Sequence, residues 1–446
     1  MSRKRPATTS SKTNNRPPIW VRYNRAVTAV TLIASPLFYW SGPDSFRFPK
    51  EILFRAAVIL LAMGAVLGFA TFVERVRRTW RKRTGRIAMM VAGAVVCWTA
   101  IACLGSSNSR LSLAALSWVT ALAFFFLNAL TIAETYSIAA VWLILIPAAI
   151  NALVVILQRV GVWNPFVFPA DVAQHARVVG LLGNPDYVGI YLVTSILAAA
   201  ALALVATRAW MRVVAVSTGI LLVLGLFATQ AFTAIIGCAA GLFCLGVLAA
   251  RRRRIFIVSG AIAAVALLLA YAPIRTRIQD HLAFARYRQY DLLFAGRLGA
   301  FLAAWEMFQH HPISGVGPGC YPYEFLPYRM DVQQKYSAML RQEPTELNFG
   351  ETHNDHLQVL AEGGAPGYAI FLAALLFAGS LSFSGIEEPL RTAVDERATF
   401  AKLIAFPTTV SLLVLTLGQF PLHLVAPLLN VLFLIAMCSV WSAIDS

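Results

Sequence analysis

Twelve apolar runs constrain this chain more than any other feature: residues 26–40, 51–73, 87–105, 111–131, 138–157, 186–206, 213–228, 233–250, 255–272, 367–384, 399–418 and 424–441. A bilayer interior offers no water to backbone N–H and C=O groups, so a spanning segment is a helix of ~20 mostly apolar residues. Only 13% of the 446 residues are charged, against ~25% in soluble domains. That composition excludes a disordered chain, a secreted disulfide scaffold and an ordinary cytosolic enzyme. The fold class expected is an all-α polytopic membrane protein with about twelve transmembrane helices.

The net charge of +16 would raise nucleic acid as a partner in a soluble protein. Its location gives a different meaning. Arg3, Lys4, Arg5, Lys12, Arg16, Arg22 and Arg25 precede the first run. Arg75, Arg77, Arg78, Arg81, Lys82, Arg83 and Arg86 follow the second. Arg208 and Arg212 follow the sixth, and Arg251, Arg252, Arg253 and Arg254 follow the eighth. Twelve alternating spans put all four groups on one side, which the positive-inside tendency makes cytoplasmic. The opposite side is electrically balanced. The expectation is a multi-pass protein of a bacterial inner membrane with both termini cytoplasmic and no nucleic-acid partner. Residues 1–25 read as a basic tail; no small-residue cleavage site follows Trp40, so a cleaved signal is not expected.

This topology places two long connections on the outer side, 158–185 and 273–366. The second far exceeds a helix-to-helix link, and Trp305, Tyr321, Tyr323, Phe325 and Tyr336 make it too aromatic for a disordered segment. The domain plan is therefore a tail (1–25), spans one to nine (26–272), an extracytoplasmic loop folded as a small helical cap (273–366), and spans ten to twelve (367–446). Five cysteines fall in runs and Cys320 is alone in the large loop, so no disulfide framework is expected.

The large loop has three parts. In 297–310, Leu298, Phe301, Leu302, Trp305 and Phe308 recur at helical spacing and predict an amphipathic helix against the membrane face or the cap, ended by Pro312. The run "PISGVGPGCYPY" alternates Gly315, Gly317 and Gly319 with bulkier residues, a backbone-rich turn able to approach a ligand. In "ETHNDHLQVLAEGGAPG", Thr352 or Asn354 caps a short helix and Gly363 or Gly364 stops it, with Leu357, Leu360 and Ala361 as its buried side. His353 stands at its start and His356 one turn on. Imidazole suits proton transfer near neutral pH. A metal is not expected, since no glutamate lies between the histidines and no third ligand is evident.

Guanidinium grips phosphate through paired hydrogen bonds. Arg177 and Arg297 lie in outer segments near membrane boundaries, and Arg275, Arg277, Arg286 and Arg288 cluster just after the ninth run. A basic outer boundary runs against the positive-inside tendency and suits an anionic headgroup such as a lipid pyrophosphate; ion pairing with Asp280, Asp291 or Glu306 is the other reading. Arg55 within the second run has Glu51 as its expected partner.

Three segments, "GLLGNPDYVGIYL" (180–192), "GRLGAFLAAWEMFQHHPISGVGPG" (296–319) and "THNDHLQVLAEGGAPG" (352–367), resemble in that order the motifs of the O-antigen ligase and O-antigen polymerase superfamily, over about 177–367. The resemblance implies an integral-membrane glycosyltransferase of the GT-C type, inverting and independent of metals or other cofactors. The donor it implies is a glycan on undecaprenyl pyrophosphate. The acceptor is a hydroxyl on another glycan, a lipid A core or a protein, in cell-envelope polysaccharide or lipopolysaccharide biosynthesis. By position, Arg297 matches the family arginine thought to hold the donor pyrophosphate, His353 the histidine proposed as base or donor contact, and Arg177 an arginine found before the Gly-x-x-Gly-Asn-Pro segment.

One departure stands out. Members often carry an arginine at the turn after the seventh span, where this chain reads "FATQAFTAIIG" (227–237). Thr229, Gln230 or Thr233 can donate hydrogen bonds instead, or Arg177 with Arg286 and Arg288 can supply the charge. Asn354, Asp355, His356, Glu362 and Gly317 are candidate supporting residues. The alternative function is a transporter or flippase for a lipid-linked or amphipathic anionic substrate, which predicts broken helices with charges near the membrane midplane.

Overall fold

A computed structural model describes residues 17–40, 44–167, 172–249, 272–340, 349–383 and 395–442. No strand occurs among them. The helices are α1 (Ile19–Ala34), α2 (Phe48–Leu67), α3 (Phe69–Arg81), α4 (Arg83–Ala102), α5 (Ser109–Ile132), α6 (Trp142–Arg159), α7 (Pro185–Val205), α8 (Ala209–Thr229), α9 (Phe232–Ala249), α10 (Ala272–Arg286), α11 (Tyr290–Leu293), α12 (Leu298–His310), α13 (Tyr321–Lys335), α14 (Asp355–Ser380), α15 (Glu396–Gly418) and α16 (Val425–Trp441).

Eight helical stretches among the described residues are long and apolar enough to cross a bilayer, or nine if a bent pair counts as one span. The expected twelve is not reached there. Helices α1 and α16 are short, at 16 and 17 residues, and residues 255–271 of the ninth run lie outside the described residues. The second run is broken: α2 and α3 meet at Gly68 with a bend of 100°. A Cβ on Gly68 would lie 2.3 Å from the Trp20 ring, so the close approach of α1 is possible only at glycine. Beyond the bend, Arg75, Arg77, Arg78 and Arg81 make α3 too polar to continue through hydrocarbon.

Helices α7 and α16 form the centre, with nearly every side chain of α16 and most of those of α7 buried. Their all-round apolarity is what burial among other helices demands. Some polar groups at this depth pair between helices. Asn24 of α1 donates to Asn128 of α5 at 2.7 Å, and Asn128 to Thr28 at 3.3 Å, the interhelical bonding expected where no water competes. The expected Glu51–Arg55 pair does not form. Glu51 binds Arg47 at 3.2 Å, while Arg55 donates to Ser117 at 3.3 Å and its guanidinium lies 5.4 Å from the Trp118 ring centre. One helical turn toward the helix start places Arg47 at the end of α2, where its charge is less costly.

The large loop folds as helices α10 to α13. The predicted amphipathic helix is α12, but its seat is different from the stripe read in the sequence. Its small side packs inward through Ala300, Ala303, Ala304 and Met307, against Val316, Tyr321, Phe325 and Ala361, whereas Trp305 is 40% exposed. Small residues let α12 approach α14 closely, while Leu298 and Leu302 pack on a second side against Val332 and Leu340.

The first helix of α14 stops at Gly364, as the sequence predicts, and a second follows at once across a kink. Gly364 has φ 63° and ψ −170°. Pro312 O accepts the N–H of Ala365 at 2.8 Å, Ala361 O accepts Val316 N–H at 2.8 Å, and Glu362 O accepts Gly317 N–H at 3.2 Å. The loop 312–317 thus takes over groups that the break and Pro366 leave unpaired. A Cβ on Gly364 would sit 2.1 Å from Ile313 O, and one on Gly315 2.3 Å from the Glu362 carbonyl carbon. Gly364→Ala should therefore destabilise the fold by about 2 kcal/mol or more, through left-handed strain plus the clash. Thermal unfolding of the detergent-purified protein measures this, and an unchanged midpoint would show that the loop yields instead.

Candidate active site

The start of α14 is built by local polar chemistry. Asn354 is the cap, accepting Leu357 N–H at 3.1 Å. Thr352 Oγ1 accepts Asn354 N–H at 3.0 Å and donates to Asn354 O at 2.6 Å. Between these two, His353 is forced into left-handed backbone at φ 56°, a conformation worth noting in a non-glycine residue near a candidate site. The buried side of the first turns is polar, not the Leu357–Leu360 side expected from the sequence: Asp355, His356, Gln358 and Ala361 are buried, and both leucines are half-buried.

The His353 ring is clamped edge-on between Phe420 at 4.7 Å and Phe349 at 5.8 Å, and Gln419 supplies a hydrogen bond to it. Its Nδ1 is buried without a partner. Burial, with the Arg297 guanidinium beside it, lowers its pKa from 6.5 to about 4 against the opposing pull of Glu351. His353 is thus neutral at physiological pH and next to a fixed cation. Arg297, at the start of α12, donates Nη1 to Gly418 O at 3.0 Å, and Asn354 Nδ2 donates to Leu417 O at 3.0 Å. The C-terminal end of α15 is therefore the wall against which both the arginine and the histidine turn are set.

Two more segments close around this centre. Arg47, at the head of α2, forms an ion pair with Glu351, two residues before His353. Tyr187 of α7 packs edge-on against Phe420 at 5.5 Å. Tyr187 is carried by the 180–192 motif, whose loop is pinned by α6 and α2. Gln158 accepts Gly180 N–H at 2.8 Å, Asn151 accepts Leu181 N–H at 3.1 Å, and Lys50 Nζ donates to Leu181 O at 2.9 Å.

The other candidates separate into supporting and distant groups. Glu362 carries a structural load: its carboxylate accepts the N–H groups of Gly319 at 2.9 Å and Tyr321 at 3.3 Å, capping α13. Asp355 takes Leu422 N–H at 3.1 Å and His423 Nδ1 at 3.0 Å. His356 points elsewhere, to Tyr368 at 3.1 Å and Thr416 at 3.0 Å, so the two histidines do not converge as a metal pair would. Gly317 (φ 109°) is consumed by packing, since a Cβ there would meet Ser106 at 2.5 Å; the glycine loop serves close contact within the protein. Thr229 Oγ1 donates to Leu226 O at 2.7 Å and Gln230 ends α8 in left-handed backbone, so the Thr229 hydroxyl serves its own turn. Arg177 donates Nε to Val172 O at 2.9 Å within its loop. Arg286 and Arg288 sit exposed at the end of α10.

A different arginine reaches the turn that lacks one. Arg277 of α10 lies over Phe232 at 5.7 Å, and His281 faces the same ring at 6.4 Å. Thr233, the next residue, lies against Gly418, where a Cβ would meet it at 3.2 Å. Arg47, Tyr187, Glu351, Gln358, Gln419, Phe420 and His423 were not singled out from the sequence. The one available signal was a histidine in "FPLHL" between two apolar runs, polar where a short turn needs nothing polar.

These features define a polytopic helical membrane protein whose folded loop sets a neutral histidine beside an arginine at the edge of its spans. Residues 217–372 match the family model described as O-antigen ligase, so in that stretch the chain is O-antigen ligase-like. The match takes in the 227–237 turn, Arg297, the glycine loop, His353 and Glu362. It leaves out Arg47, Arg177, the 180–192 motif and the 417–423 turn. A comparison with curated proteins finds no match.

Proposed function

We propose that the protein transfers a glycan from undecaprenyl pyrophosphate to an acceptor hydroxyl at the extracytoplasmic face of a bacterial inner membrane, as an O-antigen ligase or polymerase does. The observation that carries this reading is the neutral, half-buried His353 beside Arg297, both within the family-matched stretch. In the reaction the acceptor oxygen bonds to the anomeric carbon as that carbon's bond to the phosphate oxygen breaks. The electron pair leaves on the lipid pyrophosphate, and the hydroxyl proton passes to His353 or is ordered by it toward solvent. Arg297 stabilises the phosphate charge that develops, an effect amplified where water is scarce. Alignment of the acceptor supplies the rest.

Arg277, stacked over Phe232, takes the part of the absent arginine as a second donor contact. Arg277→Ala should raise the donor KM several-fold with less effect on kcat, since a cation exposed to solvent acts mainly on binding. Steady-state kinetics on purified protein measure this, and an unchanged KM would remove Arg277 from the site.

Incubating the purified protein with a lipid-linked glycan and candidate acceptors tests the whole reading. Glycosylated acceptor and free undecaprenyl pyrophosphate are expected. Movement of intact donor across vesicles without bond cleavage would favour the transporter alternative. That alternative also predicts a broken helix, but in a transporter the irregular backbone lines a pathway. The break at Gly364 is instead filled by Pro312 and Ile313.

A further inference from the structure

The 417–423 turn is joined to the start of α14 by a chain of hydrogen bonds that ends at the backbone beside His353. Asp355 Oδ1 meets His423 Nδ1 at 3.0 Å; His423 Nε2 lies 3.2 Å from Gln358 Nε2; Gln358 Nε2 donates to Glu362 at 3.3 Å; and Gln358 Oε1 accepts Thr352 N–H at 3.1 Å. These bonds fix the protons. A backbone N–H only donates, so the amide oxygen of Gln358 faces Thr352 and its NH2 faces Glu362 and His423. His423 Nε2 must then accept, which leaves its proton on Nδ1, pointing at Asp355. Each polar atom in the chain fills a role open to it, with the two Gln358 NH2 hydrogens going one to Glu362 and one to His423. Both Thr352 and Gln358 are buried, at 0% and 3% exposure, so a lost bond there has no water to replace it.

We propose that His423 is a positioning residue of the transfer site: as a neutral Nδ1–H imidazole it orients Gln358, and through Gln358 it holds the Thr352–His353 turn. The catalytic consequence rests on the transferase reading; the clamp itself does not. Protonation of His423 puts an N–H against the Gln358 NH2. The amide must turn over to offer its oxygen, and the NH2 then faces Thr352 N–H, breaking that bond. His353 already sits in left-handed backbone, so a loosened Thr352 lets it relax away from Arg297.

The groups facing His423 are carboxylates: Asp355 and Glu362 from α14 and Glu351 from the preceding loop. Burial lowers the imidazole pKa, but the Asp355 hydrogen bond and the three negative charges outweigh it, and the net direction is upward from 6.5. On acidification through that raised value the clamp opens, while the Asp355–His423 ion pair comes to full strength.

The test has two arms on the full-length purified protein. In the first, donor kcat/KM is followed from pH 8 to pH 6. Wild type should decline on acidification; His423→Ala should be roughly 10- to 100-fold slower, the scale of a misplaced reacting group; His423→Asn, which keeps a donor toward Asp355 and cannot titrate, should recover part of that loss and lack the decline. In the second, hydrogen exchange of the 350–354 peptide, corrected for intrinsic pH dependence, should lose protection on acidification in wild type and be pH-independent in His423→Asn. A decline that persists in His423→Asn, or Thr352 protection unchanged by acid and by His423→Ala, overturns the proposal. If wild type transfers no glycan at any pH, the transferase reading fails and the exchange arm alone decides the clamp.

Discussion

Arg297→Ala should lower glycan transfer by roughly 10²- to 10³-fold, the range for removing one preorganised charge from a developing anion. Three features raise the expectation to that level. The guanidinium is anchored by Gly418 O at 3.0 Å, so its orientation is settled before the donor arrives. It stands close enough to His353 to help suppress that ring's protonation, so its charge is felt at the reacting end of the site. It also begins α12, whose small inward face seats it rigidly against α14. Lysine should not restore the rate, because a single ammonium cannot both hold Gly418 O and grip phosphate in a planar fork. In-vitro transfer with lipid-linked donor, alongside a melting curve, measures it. Full activity in a folded Arg297→Ala protein would remove the arginine from the mechanism.

His353→Ala should reduce kcat by about 10²- to 10⁴-fold, as expected for loss of a general base. The pH dependence carries more information than the size. In the folded protein His353 titrates at about 4, below its ordinary 6.5, so it is neutral throughout pH 5–8 and any decline of kcat/KM in that range has another source. Donor binding brings pyrophosphate charge beside Arg297, offsets the cation that lowers the imidazole pKa, and raises the ring's basicity when it is needed. The apparent pKa assigned to His353 should therefore be higher in kcat than in kcat/KM. Stability has the matching sign. Between pH 6.5 and 4 the unfolded chain binds a proton that the folded one refuses, so the fold weakens as pH falls through that window and is unaffected by His353 above it. Melting midpoints of wild type and His353→Asn should converge on acidification, and parallel curves would contradict the lowered pKa.

The main lines of the fold were readable because burial in a bilayer leaves a strong local record. A span of apolar residues must be a helix whatever surrounds it, and α4 to α9, α14 and α15 fall where the runs predict them. The exceptions share a cause. The 100° bend at Gly68 depends on Trp20, a residue on another helix. The stop at Gly364 is followed at once by a second helix because loop 312–317 supplies the missing bonding partners. The inward face of α12 is its alanine side because α14 lies within reach of nothing larger. Each is a decision made by a neighbour distant in sequence.

The candidate site divides the same way. Sequence by itself determined the membrane class and the O-antigen ligase-like stretch, and it singled out Arg297 and His353 as candidates, since those signals are written in composition, spacing and motif. Only the tertiary structure decided that His356 turns away, that Gly317 is spent on Ser106, and that Arg47, Tyr187, Phe420 and His423 join the centre. These residues belong to α2, to α7 and to the turn before α16, and no local periodicity links them. A polar or aromatic side chain at a helix end looks alike in sequence whether it faces solvent or a site. Its role is set by the partner that packing brings within about 3 Å, the range over which a hydrogen bond acts.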